Sequence, residues 1–150
     1  MTTIILLSIL GAVIAAVVGT FWYSPMTPMG KIHMQALGFD KLSPEEQQKK
    51  MLEAKPKMWK MYLGQMILSF LTAFAVVFII TLSAENGVPF GTAIWFIVLN
   101  WFCFMVPIIG SAILWSSDCD SKLAWKKFFS DILSNLVILV LVGFVTSLFV

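Results

Sequence analysis

Arginine is absent from this sequence, which has one histidine, two cysteines and a charged share of only 12% among its 150 residues. Soluble proteins carry about twice that share of charge. Membrane enzymes that bind glutathione or phosphorylated substrates use arginine to hold anions through paired hydrogen bonds, so its absence disfavours them. The HExxH, GxSxG, CxxC and P-loop motifs are also missing. We therefore predict no catalytic residue, no metal and no cofactor, and we favour a protein that is not an enzyme.

Apolar residues are in excess. They make up 59% of the chain, and the mean hydropathy is +0.92. A soluble domain of this size still exposes roughly 30% of the surface of its unfolded chain, so its core is too small for this much apolar side chain. The composition excludes a soluble enzyme, a nucleic-acid-binding domain, a disordered chain and a disulfide scaffold. It indicates one integral membrane domain over residues 1–150, with the lipid bilayer as its partner.

Four long segments locate the membrane spans. The runs without Lys, Arg, Asp or Glu are residues 1–30, 61–84, 86–117 and 132–150. A helix needs ~20 apolar residues to cross ~30 Å of hydrocarbon, whereas the strands of a membrane barrel alternate polar and apolar residues over about ten positions. We predict an all-α membrane protein with four transmembrane helices, at residues 3–23, 61–82, 90–115 and 128–149.

The lysines predict how these helices are oriented. All ten basic residues are Lys: seven lie in the first loop, residues 24–60, and three lie between the last two helices. The loop at residues 83–89 and both termini have none. By the positive-inside rule, we expect two hairpins with cytoplasmic loops and both termini outside. We expect a bacterial inner membrane, with the first helix retained rather than cleaved as a signal peptide.

The first loop has helix signals of its own. Ser43, followed by Pro44 and Glu46, forms a capping box that starts a helix, and Gly38 has the position of a glycine that ends an earlier one. We expect Pro56 to interrupt the helix that starts at Ser43. The loop is either an amphipathic platform lying in the membrane interface or a connector whose lysines face anionic lipid.

Four residues have expected structural roles. Gly11 and Gly19 lie on one face of the first helix, and small residues at this spacing mark close helix contacts in lipid, either within the chain or between subunits. Pro25 stops the first helix. Pro107 removes a backbone donor from the third helix, which predicts a kink there.

Polar side chains inside spans are the best candidates for a ligand site, because they are costly in hydrocarbon. Asp131 is either a proton or cation site, or an acid favoured by the helix dipole and paired with Lys127. Asn100 either lines a pocket or pore beside the Pro107 kink or bonds across helices. The candidate ligand-binding residues are Trp22, Tyr23, Gln65, Asn100, Asp131 and Asn135.

Two remaining features point to chemistry only weakly. His33 lies among methionines at positions 26, 29 and 34. Thioethers and imidazole suit Cu(I), but methionine is also a flexible filler at interfaces, and we favour that interpretation. The two cysteines, Cys103 and Cys119, form no motif.

One tetrapeptide, Trp22, Tyr23, Ser24 and Pro25, points to a family. The other matching positions are residues 30–31, 34–38, 91–95, 107, 110–111, 125–126 and, more loosely, 128–131. Together they resemble the bacterial membrane family called domain of unknown function 1761, over most of the chain. The resemblance implies a small multi-span inner-membrane protein, and it brings no assigned activity, cofactor or catalytic residue.

These observations favour a membrane protein that binds a small or lipidic ligand or serves as an accessory subunit, as a homo-oligomer or with a membrane-protein partner. The expected site is the cytoplasmic-side layer of polar residues near the Pro107 kink. One alternative is a small transporter or channel that uses Asn100 and Asp131. Another is a membrane enzyme that acts on a lipid-soluble substrate, with His33 or Asp131 as its acid–base group.

Overall fold

The structure is a computed structural model that describes residues 1–115 and 121–150, apart from the side chain of Lys57. Cys119 lies outside the described residues. The described chain is almost entirely helical. Its elements in order are α1 (Thr2–Trp22), α2 (Pro28–Ala36), a 3-10 turn (Phe39–Lys41), α3 (Pro44–Glu85), α4 (Phe90–Asn100), a π turn (Trp101–Met105), α5 (Val106–Leu114) and α6 (Lys122–Ser147).

Four helical segments are long and apolar enough to cross a membrane, which confirms the predicted all-α fold. They are Thr2–Trp22, Met58–Glu85, Phe90–Leu114 and Lys122–Ser147. The third comprises α4, the π turn and α5, and almost none of it is buried within the chain. The third segment therefore lies at the edge of the helix bundle.

Helix α3 is 42 residues long and runs without a break from the first loop into the second span. It begins at the predicted capping box: the Ser43 hydroxyl accepts from the Glu46 amide, and the Glu46 carboxylate accepts from the Ser43 amide. The prediction that Pro56 ends this helix is wrong, because Pro56 lies inside it. Proline removes only the bond to the Leu52 carbonyl, and Leu52 is exposed, so that carbonyl does not have to be satisfied by the fold.

The third span departs from α geometry close to Pro107. Residues Trp101–Met105 form a π turn, in which the Val106 amide donates to the Trp101 carbonyl five residues earlier. Pro107 has no amide to donate to the carbonyl of Cys103, so the α-helical pattern fails at this turn. The interruption that the sequence predicts at Pro107 thus takes the form of one widened turn.

The core lies where α1, α3 and α6 pack together. Gly11 permits a close approach there, since a Cβ atom built on it would lie 2.8 Å from the Ala73 Cβ and 2.9 Å from the Val142 Cγ1. Gly19, about two turns further along α1, meets nothing within 4 Å. The small-residue face of α1 is therefore packed within the chain at Gly11 and open at Gly19.

Candidate functional site

The end of α1 is tied to the start of α2 by a tight turn. Helix α1 stops at Trp22, and Pro25 follows in the turn. The Thr27 hydroxyl donates to the Trp22 carbonyl at 2.7 Å and accepts from the Gly30 amide at 2.9 Å, which caps α2. Gly30 is buried, and a Cβ on it would overlap the Ser24 carbonyl. Residue 30 therefore needs to be glycine for α2 to fold back against the end of α1.

The last residue of α1 and the residue that follows it bond to two neighbouring residues of α6. The Trp22 indole N–H donates to the Ser130 hydroxyl at 3.1 Å, and the Tyr23 hydroxyl donates to Asp131 Oδ1 at 2.8 Å. The partners in each pair are 108 residues apart in the chain. Ser130 is buried, and its bond to Trp22 satisfies a hydroxyl that would otherwise be costly to bury. These two bonds join the first and fourth spans near their ends.

Asp131 has a partner on each carboxylate oxygen. Oδ1 accepts from Tyr23, and Oδ2 forms an ion pair with Lys127, one helical turn earlier. The Asp131 side chain is 20% exposed. The predicted pairing with Lys127 is confirmed, so the carboxylate is neither free nor alone. Asn135 lies one turn deeper, and its amide donates to the Asp131 backbone carbonyl at 2.8 Å.

His33 on α2 completes the group. Its ring centroid lies 4.9 Å from that of Tyr23, and its Nδ1 is buried without a hydrogen-bond partner. Burial lowers the pKa of His33, the Lys127 charge lowers it further, and Asp131 opposes them. The imidazole is therefore neutral at pH 7. We call the six residues that meet here the Asp131 cluster: Trp22, Tyr23, His33, Lys127, Ser130 and Asp131.

The structure does not bring every candidate into this cluster. Gln65 is exposed on α3 and donates to the Ser69 hydroxyl at 3.4 Å, and Asn100 is exposed on α4 and donates to the Phe96 carbonyl at 2.8 Å. Each of these amides bonds within its own helix. The amide of Asn135 likewise bonds within its own helix, to the Asp131 carbonyl. Of the six residues that the sequence singles out as ligand-binding, Trp22, Tyr23 and Asp131 are the ones that meet in the cluster.

Sequence patterns missed several residues that build the site. Ser130 and Thr27 give no signal, because serine and threonine occur at many helix positions without a role. Gly30 stands in the region that resembles the family, but only the fold shows that a side chain is excluded there. Lys127 is an exception, because its position four residues before Asp131 identifies it from the sequence.

The arrangement suits recognition of a polar group more than metal binding. Within the part of the chain that is described, no group of three His, Cys, Asp or Glu residues comes close enough to hold a metal ion. The cluster instead offers an ammonium group, a neutral imidazole and a phenol. On the same stretch of α6, the ring of Phe128 is buried and Trp125 packs edge-on against it, with the ring centroids 5.6 Å apart.

Comparison with known proteins gives one finding about family. No curated protein matches the chain, and no solved structure matches it. One family profile matches residues 6–147, nearly the whole chain, including both halves of the Asp131 cluster. The chain therefore belongs to the family described as protein of unknown function, DUF1761.

Proposed function

We propose that this protein is a membrane-embedded binding protein that holds the polar end of a small lipidic ligand at the Asp131 cluster. One observation carries the proposal: polar side chains from three separate elements converge, yet His33 Nδ1 stays buried without a partner. An unsatisfied buried polar atom costs about 1–3 kcal/mol, and such atoms in a native fold require an explanation. A ligand atom bonded to Nδ1 supplies one.

The chemistry of the cluster limits the ligand. Both oxygens of Asp131 already have partners, so the carboxylate is not the group that receives the ligand. Lys127 has three N–H donors, of which Asp131 requires one. The neutral His33 ring either donates or accepts at Nδ1. A carbonyl, hydroxyl or phosphate group fits these partners, and the aromatic residues Phe128 and Trp125 on the same stretch of α6 support an apolar remainder.

The same proposal includes the protein's setting. The lysine distribution supports cytoplasmic loops, external termini and an inner-membrane location, because all ten Lys lie in the two loops that a four-helix topology places on one side. The exposed third span supports a homo-oligomer or an accessory role, since it carries large aromatic side chains with little contact inside the chain. Its exposed aromatic residues are Phe90, Trp95, Phe96, Phe102 and Phe104.

The proposal is tested by native mass spectrometry of the protein purified in mild detergent. We expect a bound molecule on the wild type. His33→Ala and Lys127→Gln are expected to lower its occupancy at least about tenfold, the effect of one lost hydrogen bond involving a charged or buried group. Gln65→Ala is the matched control, because Gln65 bonds only within α3 in the described contacts. An empty wild type, or equal occupancy in all four proteins, would refute the proposal.

A further inference from the structure

Helix α3 extends well beyond its membrane span. The span is Met58–Glu85, but the helix starts at Pro44, so residues 44–57 continue outside it. At 1.5 Å per residue, this extension is about 20 Å long, and the 42-residue helix measures about 63 Å in all. A bilayer with its headgroups is only about 40–45 Å thick. The extension therefore passes through or beyond the headgroup layer.

One face of the extension is apolar and uncovered. A groove of about 550 Å³ runs along it, lined chiefly by Met51, Leu52, Lys55, Met58, Trp59 and Tyr62. These residues recur every three or four positions, so they share one side of the helix. Met51 and Leu52 lie outside the span, yet each is more than half exposed. Exposed apolar faces of this kind mark interaction sites.

The same segment is strongly basic. Residues 48–60 contain five lysines and one glutamate. Lys55 lies in the middle of the groove, and the Lys60 ammonium lies 5.7 Å from the centroid of the Trp59 ring. Clusters of four to eight basic residues directly beside a transmembrane helix attract anionic lipid headgroups.

We propose that this groove binds the anionic phospholipids of the surrounding bilayer. The lipid phosphate bonds to Lys55 and Lys60, and the glycerol and upper acyl region packs on Met51, Leu52 and Met58. A helix tilt within the usual range of roughly 0–40° lowers this face into the headgroup layer. Charge argues for lipid over a second copy, because two such grooves facing across a two-fold axis would bring Lys55 against Lys55.

Amide hydrogen exchange in nanodiscs tests the proposal. One set of nanodiscs contains phosphatidylcholine alone, and the other contains equal parts of phosphatidylcholine and phosphatidylglycerol. We expect residues 48–57 to exchange about ten- to thirtyfold more slowly with phosphatidylglycerol, as expected when two lysines gain phosphate partners. High salt is expected to remove the difference.

Three variants make the test specific. Lys55→Gln with Lys60→Gln is expected to abolish the lipid dependence, and Lys55→Arg with Lys60→Arg is expected to keep it. Lys122→Gln with Lys126→Gln removes two exposed charges from α6 and is expected to change nothing in residues 48–57. Equal exchange in both lipids, an unchanged difference in the glutamine variant, or protection that follows protein concentration regardless of lipid charge would each overturn the proposal. The result is independent of ligand binding at the Asp131 cluster.

Discussion

His33 lies in surroundings that disfavour its protonated form. Its ring lies against Tyr23 from the end of α1, and Lys127 and Asp131 face it from α6. Desolvation is the largest cause of its lowered pKa, and the Lys127 ammonium adds to it. Asp131 partly neutralises the Lys127 charge, so the pKa of His33 depends on both residues. Protonating His33 places a second positive charge beside Lys127.

We predict that stability falls as the pH drops below about 6.5, the ordinary pKa of histidine. The folded-state pKa lies below the unfolded one, so the unfolded chain binds the proton more readily. The contribution of His33 is thus complete above the unfolded pKa and is lost as the pH falls through the window between the two values. Thermal unfolding between pH 7.5 and 5 measures this loss, at roughly 2–4 °C per kcal/mol for a chain of this length.

His33→Gln is the control for this pH dependence. Glutamine keeps a polar side chain on α2 but does not titrate, so the variant is expected to show a flatter dependence of the melting temperature on pH. The same dependence in wild type and variant would show that another group is responsible.

At the scale of the helix, the small residues of α1 are packed over only part of its length, since Ser8, Gly11, Ala12 and Ala15 are buried. Gly11 lies between α3 and α6, and Gly19 faces open space. Helices in lipid associate through close packing, because no water has to be excluded between them. The free energy gained by α1 therefore depends mainly on its contact near Gly11.

We predict that Gly11→Leu destabilises the protein by about 1–3 kcal/mol, the usual cost of overpacking a well-filled contact. Val13→Leu and Gly19→Leu are expected to change the free energy of unfolding by less than about 0.5 kcal/mol, since Val13 is 46% exposed and Gly19 has no close neighbour. Thermal or denaturant unfolding in one detergent compares the three. Equal losses in Gly11→Leu and Gly19→Leu would contradict the packing described for α1.

At the scale of the whole molecule, charge is distributed unevenly along the chain. Seven lysines lie on α2, the 3-10 turn and the first half of α3, three lie in the first two turns of α6, and the connection between α3 and α4 carries none. The proposed four crossings place these lysine-bearing segments on one side of the membrane, and the lysine-free connection between α3 and α4 on the other.

Cysteine labelling in intact cells checks this orientation. In a background with both native cysteines replaced by serine, we expect Lys41→Cys to react only after the membrane is opened. Glu85→Cys, at the exposed end of α3, is expected to react with an impermeant maleimide from outside. Labelling of Glu85→Cys only from the inside would reverse the topology.

Local patterns were sufficient to predict much of the structure. The capping box at Ser43, the glycine at position 38 with φ of 71° and the pairing of Lys127 with Asp131 all involve residues within four positions of their partners. The failure at Pro56 has a related cause: proline weakens a helix locally, but the following span continues the helix through it. The helix propensity of a single residue does not reflect whether the helix after it continues.

The site was predictable only in part. Tyr23 and Asp131 were both candidates, but no pattern links residues 108 positions apart. Gln65 and Asn100 were candidates because amides are costly in hydrocarbon. Each reduces that cost through a bond four residues away on its own helix, so its presence in a span does not require a ligand.

The sequence by itself determined that this is an all-helical chain with four apolar segments of membrane-spanning length and lysines gathered in two loops. Length, hydropathy and charge position are properties of the chain, so no tertiary contact is needed to identify them. Only the tertiary structure decided which polar residues meet. The rotation of each helix and its distance from its neighbours depend on close contacts such as Gly11 with Ala73 and Val142, and these contacts bring Tyr23 to Asp131.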